Sequence, residues 1–221
     1  MLKVVIFDSG YGGEFFADQL KEELPILEIL RVINWREADK ILLNPRTARQ
    51  VAEDSLRPYI GKVDLIIFAN YLLSLTSLKY FKHKYKNQKF LGFKLKFPDT
   101  FVKRDVLILS TSAVSKTISY RNFLLRIKRK TRTLNLDSWP AKIDDGELSS
   151  TEIKTIIRSF LVYHPGFDPK EIILASSQFN DIKSELKSIF GQSLKIYDSF
   201  NDTIRDACKI LSVRGGTGKK K

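Results

Sequence analysis

Polar side chains able to hold a small ligand fall at four places in this chain, each where an apolar run ends. Asp8-Ser9 follow Val4–Phe7, Ala69-Asn70 close Leu65–Phe68, Ser110-Thr111 close Val106–Leu109, and Ser176-Ser177 follow Ile172–Ala175. The first place is the richest. Gly10, Gly12 and Gly13 come next, so the backbone there can take positive φ and let a ligand approach closely. An amphipathic helix is expected from Glu14, and free N–H groups at a helix start attract anions. Asp8 also has a plainer reading as the cap of that helix, since aspartate is a favoured N-cap. Ser176 and Ser177 would need a neighbouring base to act as nucleophiles, and no histidine accompanies them, so they read as a polar strand tip or a cap. His83 and His164 fall at no strand tip. Two histidines and one cysteine leave no zinc-type cluster, and neither a metal nor a cofactor is expected. Cys208 sits in a helical pattern and reads as a small buried apolar residue.

The elements that must position these residues alternate almost throughout. Strands are expected at 3–7, 27–33, 64–69, 89–93, 105–110, 132–136, 171–175 and 194–197. Helices are expected at 14–24, 45–59, 72–85, 113–130, 149–163, 179–190 and 201–211. Pro45 suits a first helical turn, and Ser149 with Glu152 fits a capping box. Residues 94–104 break the rhythm as a crossover linker. Residues 137–147, with Pro140 and Gly146, read as loop, and the glycine-rich basic end from Arg214 reads as a flexible tail. Trp35 and Trp139 read as packing residues.

Such alternation implies α/β architecture with parallel-type sheets flanked by helices. It also hides a repeat. Residues 3–33 and 105–136 are each strand, polar turn, helix, strand; 64–93 and 171–197 repeat that pattern. Two pseudosymmetric α/β halves are therefore expected, with the polar tips lining a cleft between them. The boundaries are 1–93 plus 194–213 for the first half, 94–193 for the second, and 214–221 for the tail.

Composition bounds the partners. The chain has 221 residues, 43% hydrophobic and 29% charged, as a soluble globular protein does. No run approaches the ~20 apolar residues of a membrane span. The chain enters its first strand with no signal-peptide layout, so a cytoplasmic location is expected. One cysteine excludes an intrachain disulfide. The net charge of +13 reads first as lysine-rich solvated faces. Its second reading is attraction to anionic partners, nucleic acid included. A homodimer is compatible with all of this.

The octapeptide Ile6-Phe7-Asp8-Ser9-Gly10-Tyr11-Gly12-Gly13 resembles the N-terminal signature of the glutamate racemase and wider aspartate/glutamate racemase family. More weakly, Phe68-Ala69-Asn70-Tyr71 falls where that family has alanine-cysteine-asparagine-threonine. Leu109-Ser110-Thr111 resembles its glycine-threonine segment, Ala175-Ser176-Ser177-Gln178-Phe179 stands for glycine-cysteine-threonine-histidine-tyrosine, and Tyr197-Asp198-Ser199 resembles its late aspartate-serine. The resemblance implies two α/β halves, a site between them, and inversion of an acidic amino acid without a cofactor. One thiolate removes the α-proton and a thiol on the opposite face returns one, a task that needs a base of suitable pKa.

The departures fall on that chemistry. Ala69 and Ser176 stand at the two cysteine positions, Gln178 replaces the histidine, and Leu42-Leu43-Asn44, followed by Arg46 and Thr47, replaces proline-tyrosine-glycine. Asp8, Ser9, Asn70, Thr111 and Ser177 are kept as substrate-binding positions. The expected function is a divergent racemase-like protein that holds a small acidic amino acid or anion without two-thiol racemisation. Two alternatives stay open. One is an active racemase supplying D-glutamate for cell-wall synthesis, with a base such as Asp8 or Asp198. The other is a basic, non-enzymatic protein that binds nucleic acid or another polyanion.

Overall fold

The computed structural model describes residues 1–34, 45–96, 105–127 and 130–211. Trp35, the Leu42-Leu43-Asn44 segment, most of the 94–104 linker and the basic tail lie outside them. The chain divides into two compact units, Met1–Lys94 with Ser199 onward, and Leu95–Asp198.

In the first unit, β1 (Lys3–Asp8) lies between β2 (Glu28–Ile33) and β3 (Leu65–Phe68), with β4 (Phe90–Gly92) beyond β3; all four strands are parallel. Val4–Phe7 and Leu65–Phe68 are buried throughout, as unbroken apolar runs require when helices cover both faces of a parallel sheet. Helix α1 (Gly12–Glu23) buries Phe16, Ala17 and Leu20. Helix α2 (Pro45–Leu56) follows β2, and α3 (Tyr71–Lys84) crosses from β3 to β4.

The chain returns to this unit through α9 (Phe200–Ile210). Phe200 packs against Phe16 and Phe93, with ring centroids 5.2 Å from each. Burying a phenylalanine contributes roughly 1.5–3 kcal/mol, so this trio anchors the returning helix. Ser199 closes the point of return. Its hydroxyl accepts from Lys94 N–H at 2.9 Å, and its own N–H donates to the Tyr71 hydroxyl at 3.1 Å.

The second unit repeats the order. Strand β5 (Asp105–Ser110) lies between β6 (Thr131–Asn135) and β7 (Pro169–Leu174), and β8 (Lys195–Tyr197) lies beyond β7, again all parallel. Leu107, Leu109, Ile172 and Leu174 share one core with Trp139, Ile153, Ile157, Phe179 and Leu186. Trp139 is a packing residue, as expected, edge-on to Phe179 at 6.4 Å.

Four expectations need correction. The helix expected over 113–130 is two, α4 (Ser112–Ser115) and α5 (Ile118–Arg126). Buried Thr117 is extended between them, and its hydroxyl donates to Val114 C=O at 2.8 Å while accepting from Tyr120 N–H at 3.1 Å. The expected loop at 137–147 holds a helix, α6 (Trp139–Asp144), with Pro140 in the first turn, where its missing N–H costs nothing. The helix expected from Phe179 starts as a 3-10 turn (Gln178–Ile182) and continues as α8 (Lys183–Phe190). Strand 194–197, expected in the first half, pairs with β7, so the second unit runs to Asp198.

The remaining helix, α7 (Ser150–Val162), has half of its capping box. Ser149 Oγ accepts from Glu152 N–H at 3.1 Å, while the Glu152 carboxylate turns to Lys142 at 2.7 Å. Among the described residues, no helix is long and apolar enough to cross a membrane.

Candidate functional site

The strand order puts the polar tips where an open parallel sheet takes ligands. In each unit the second strand lies on one side of the first and the third on the other. The reversal opens a crevice at the carboxyl ends of the central pair. In the first unit that pair is β1 and β3. Phe7 lies level with Phe68, and Ala69 N–H donates to Phe7 C=O at 2.9 Å. Asp8-Ser9 and Ala69-Asn70 therefore leave the sheet side by side, as their sequence context predicts.

Asp8 is fully buried, and a buried carboxylate is tolerated only with donors. Its Oδ1 accepts from Ser9 N–H at 2.6 Å and from the Asn70 side-chain amide at 3.0 Å. The same amide nitrogen donates to Ser9 Oγ at 2.9 Å. Asn70 Oδ1 meanwhile accepts from Leu73 N–H at 3.0 Å, capping α3. One side chain thus starts a helix and braces the carboxylate and the hydroxyl.

Two plainer expectations fail here. Asp8 is not the cap of α1, whose N-cap residue is Tyr11 and has no side-chain capping bond. Nor do Gly10, Gly12 and Gly13 take positive φ, a conformation found instead at Gly61, Gly146, Gly166 and Gly191. The need at Gly13 is steric. A Cβ there would stand 2.5 Å from Asp8 Cβ and 3.1 Å from Asp8 Oδ2. Glycine lets α1 begin directly against the carboxylate.

The second unit's tips are hydroxyls and amides. Ser110 and Thr111 are buried. Thr111 caps α4, its Oγ1 accepting from Val114 N–H at 3.4 Å, and the Ser112 backbone and hydroxyl both donate to Asp137 at 2.6 Å. Ser176 Oγ donates to Gln178 Oε1 at 2.8 Å, and Ser177 Oγ to the same oxygen at 3.1 Å. Gln178 Nε2 in turn donates to Asp144 at 3.3 Å. An amide oxygen does not take up a proton at neutral pH. The Ser176 hydroxyl is therefore satisfied but not activated, and Ser177 makes no side-chain cap to the turn that follows it.

The other titratable candidates are committed elsewhere. Asp198 pairs with Lys183 at 2.6 Å. His164 Nδ1 lies 2.8 Å from Phe160 C=O. His83 is exposed in the last turn of α3, about 20 Å along the helix from Asn70 at 1.5 Å per residue. Arg46 and Thr47 sit in the first turn of α2. Cys208 is half-buried in α9, and burial pushes its thiol up. Ala69 is fully buried and offers only a methyl group. Among the described residues no three His, Cys, Asp or Glu side chains gather as a metal site.

Sequence reasoning missed Asp144 and Asp137 as braces of the second unit's tips. Asp137 carries a signal as the residue that closes β6, whereas Asp144 carries none in a segment that reads as loop.

No family model matches this sequence, and no curated protein matches it. Solved structures do. Glutamate racemase from Escherichia coli, in complex with L-glutamate and the activator UDP-MurNAc-Ala, superposes with a TM-score of 0.82. It is 18% identical over 98% of this chain and 84% of its own. Glutamate racemase from Campylobacter jejuni gives 0.78 at 19% identity, over 100% and 89% of the two chains. Aspartate racemase from Picrophilus torridus gives 0.63 at 15%, over 97% and 96%. This chain therefore has the fold of the glutamate and aspartate racemases, with two four-stranded parallel sheets flanked by helices.

Proposed function

We propose that this protein holds a small acidic amino acid, or a related anion, at its strand tips and does not carry out two-thiol racemisation. The observation that carries this reading is a division within the tips themselves. The Asp8–Ser9–Asn70 set, whose groups are able to bind and orient a ligand, is braced by mutual hydrogen bonds. The two positions that the resemblance assigns to proton transfer hold a methyl group at Ala69 and, at Ser176, a hydroxyl donated to an amide. A serine hydroxyl without a base is far too weak an acid to serve as a carbon-acid base, whereas a thiol with a free pKa of ~8.5 is within reach. The racemase fold and the complex of the E. coli protein with L-glutamate support acidic amino acids as the ligand class.

Calorimetric titration with D- and L-glutamate and D- and L-aspartate tests the reading. At least one should bind, and Asp8→Asn should weaken it tenfold or more, since a hydrogen bond to a charged group is worth about 1.5–3 kcal/mol. Binding of none of the four, or binding indifferent to Asp8→Asn, refutes it.

A further inference from the structure

The side chains at the end of β7 spend their hydrogens inward. Half-buried Asp144 closes a chain that runs from Ser176 and Ser177 through Gln178. An ionised carboxylate offers only lone pairs, so the Gln178 amide turns its nitrogen to Asp144 and its oxygen to the serines. That oxygen also only accepts. The hydroxyl hydrogens of Ser176 and Ser177 therefore both point at Gln178 Oε1, at 2.8 and 3.1 Å. What Ser176 has left to offer is the lone pairs of its Oγ, which accepts from no group among the described residues.

Other tips use their oxygens differently. Asn70 Oδ1 and Thr111 Oγ1 each accept from a helix N–H. Ser177, in the corresponding place before the 3-10 turn, makes no such cap. Within that turn Asn180 is only 6% exposed. Its Nδ2 and its backbone N–H both donate to Ser177 C=O, at 2.9 and 3.2 Å, and a carbonyl partner again fixes which way the amide faces. Asn180 Oδ1 is left buried with no partner among the described residues, where a buried polar atom ordinarily finds one. Two side-chain oxygens in one short segment, Ser176 Oγ and Asn180 Oδ1, thus present lone pairs that no donor has answered.

We infer that the β7 tip takes the ammonium group of an amino acid, and that Asp144, acting through Gln178, is the positioning residue that sets this choice. A primary ammonium carries three donors and no acceptor, and hydrogen bonds from a charged donor are the strong ones. A carboxylate placed there would meet the Ser176 lone pairs instead. The inference rests on the proposed function and decides between its two ligands. The amino acid is held, and the diacid that lacks its ammonium is held less tightly.

Calorimetry of D- and L-glutamate against glutarate, and of D- and L-aspartate against succinate, is the test. The best-bound amino acid should exceed its diacid by about tenfold or more. In Asp144→Asn the Gln178 amide is free to turn its nitrogen to Ser176, whose hydroxyl hydrogen then points outward. The preference should narrow by about threefold or more, through weaker binding of the amino acid with the diacid unchanged or tighter. Ser176→Ala removes the acceptor and leaves the bond between Gln178 and Asp144 in place. It should narrow the preference in the same way, and it reads the same quantity if Asp144→Asn does not fold. Equal affinities for amino acid and diacid in the unaltered protein overturn the inference and leave the proposed function standing. So does a preference unmoved in the variants, including equal losses for both ligands, which a merely loosened tip would give. Binding of none of these ligands removes both.

Discussion

Replacing Gly13 by alanine isolates the step that seats α1 against the candidate site. The added Cβ would lie 2.5 Å from Asp8 Cβ, against an ordinary carbon–carbon separation of about 3.5–4.0 Å. Asp8 Cβ is held by β1 and cannot swing aside as a side-chain end would, so the start of α1 must retreat by roughly 1 Å. Overpacking of this kind costs about 1–3 kcal/mol, and alanine returns up to about 1 kcal/mol through its helix propensity. With about 2 kcal/mol as the central cost, the net loss is about 1–2 kcal/mol. At a urea m-value of roughly 2 kcal/mol/M, the first unit's midpoint should fall by about 0.5–1 M when followed by far-UV circular dichroism. Ligand affinity should fall with it, because Asp8 Oδ2 is also within 3.1 Å of the new atom. An unchanged or higher midpoint would mean that α1 has room to spare at Asp8, and the steric account of Gly13 would be wrong.

Further predictions concern Asn70, Glu53 and Cys208. Asn70→Ala removes a helix cap worth about 1 kcal/mol and a donor to a buried carboxylate worth about 1–3 kcal/mol. Asn70→Asp keeps a capping oxygen but sets a second carboxylate against Asp8. In urea unfolding, Asn70→Asp should be the less stable of the two at pH 7, and the gap should narrow at pH 4. Burial alone would push the Glu53 carboxyl up, but hydrogen bonds from Lys84, Tyr85 and Tyr80 outweigh it and hold the group below its usual range. Such a group contributes stability above the usual carboxylate range and loses it as pH falls. Glu53→Gln should therefore be less stable at pH 7 by about 2 kcal/mol, with the deficit shrinking below pH 4.5 in thermal melts. Burial pushes the Cys208 thiol up, so its reaction with a disulfide reagent at pH 7.5 should be many-fold slower in the native protein than in urea.

Which parts of this molecule were legible in its sequence follows from the range of the forces involved. Val4–Phe7, Leu65–Phe68 and Val106–Leu109 are unbroken apolar runs, and each forms a central strand where expected. The tips after them were legible for the same reason, and so was the repeat. The break at Thr117 was not, because its two hydroxyl bonds are available only once the residue is buried. Proline and glycine made 137–147 look like loop, yet Pro140 sits in the one turn that tolerates it. Residues 194–197 were expected in the first half, and their pairing with β7 reassigns them. At the candidate site, the residue types at 8, 9 and 70 were visible. Their mutual bonds span about 60 positions and needed the fold. The glycines signal conformational freedom, a local property, whereas the crowding that requires glycine at position 13 is tertiary.

Strand tips that hold a ligand and move no proton have two signatures in solution. Proton NMR of D- and L-glutamate and D- and L-aspartate in deuterated water with the protein reads both at once. Saturation transferred from protein to ligand reports binding, and the intensity of the ligand α-proton reports exchange. Saturation transfer to at least one of the four is expected, with its α-proton signal undiminished over many hours. Loss of the α-proton signal would contradict this, and would place a base at Asp8, Asp198 or another side chain.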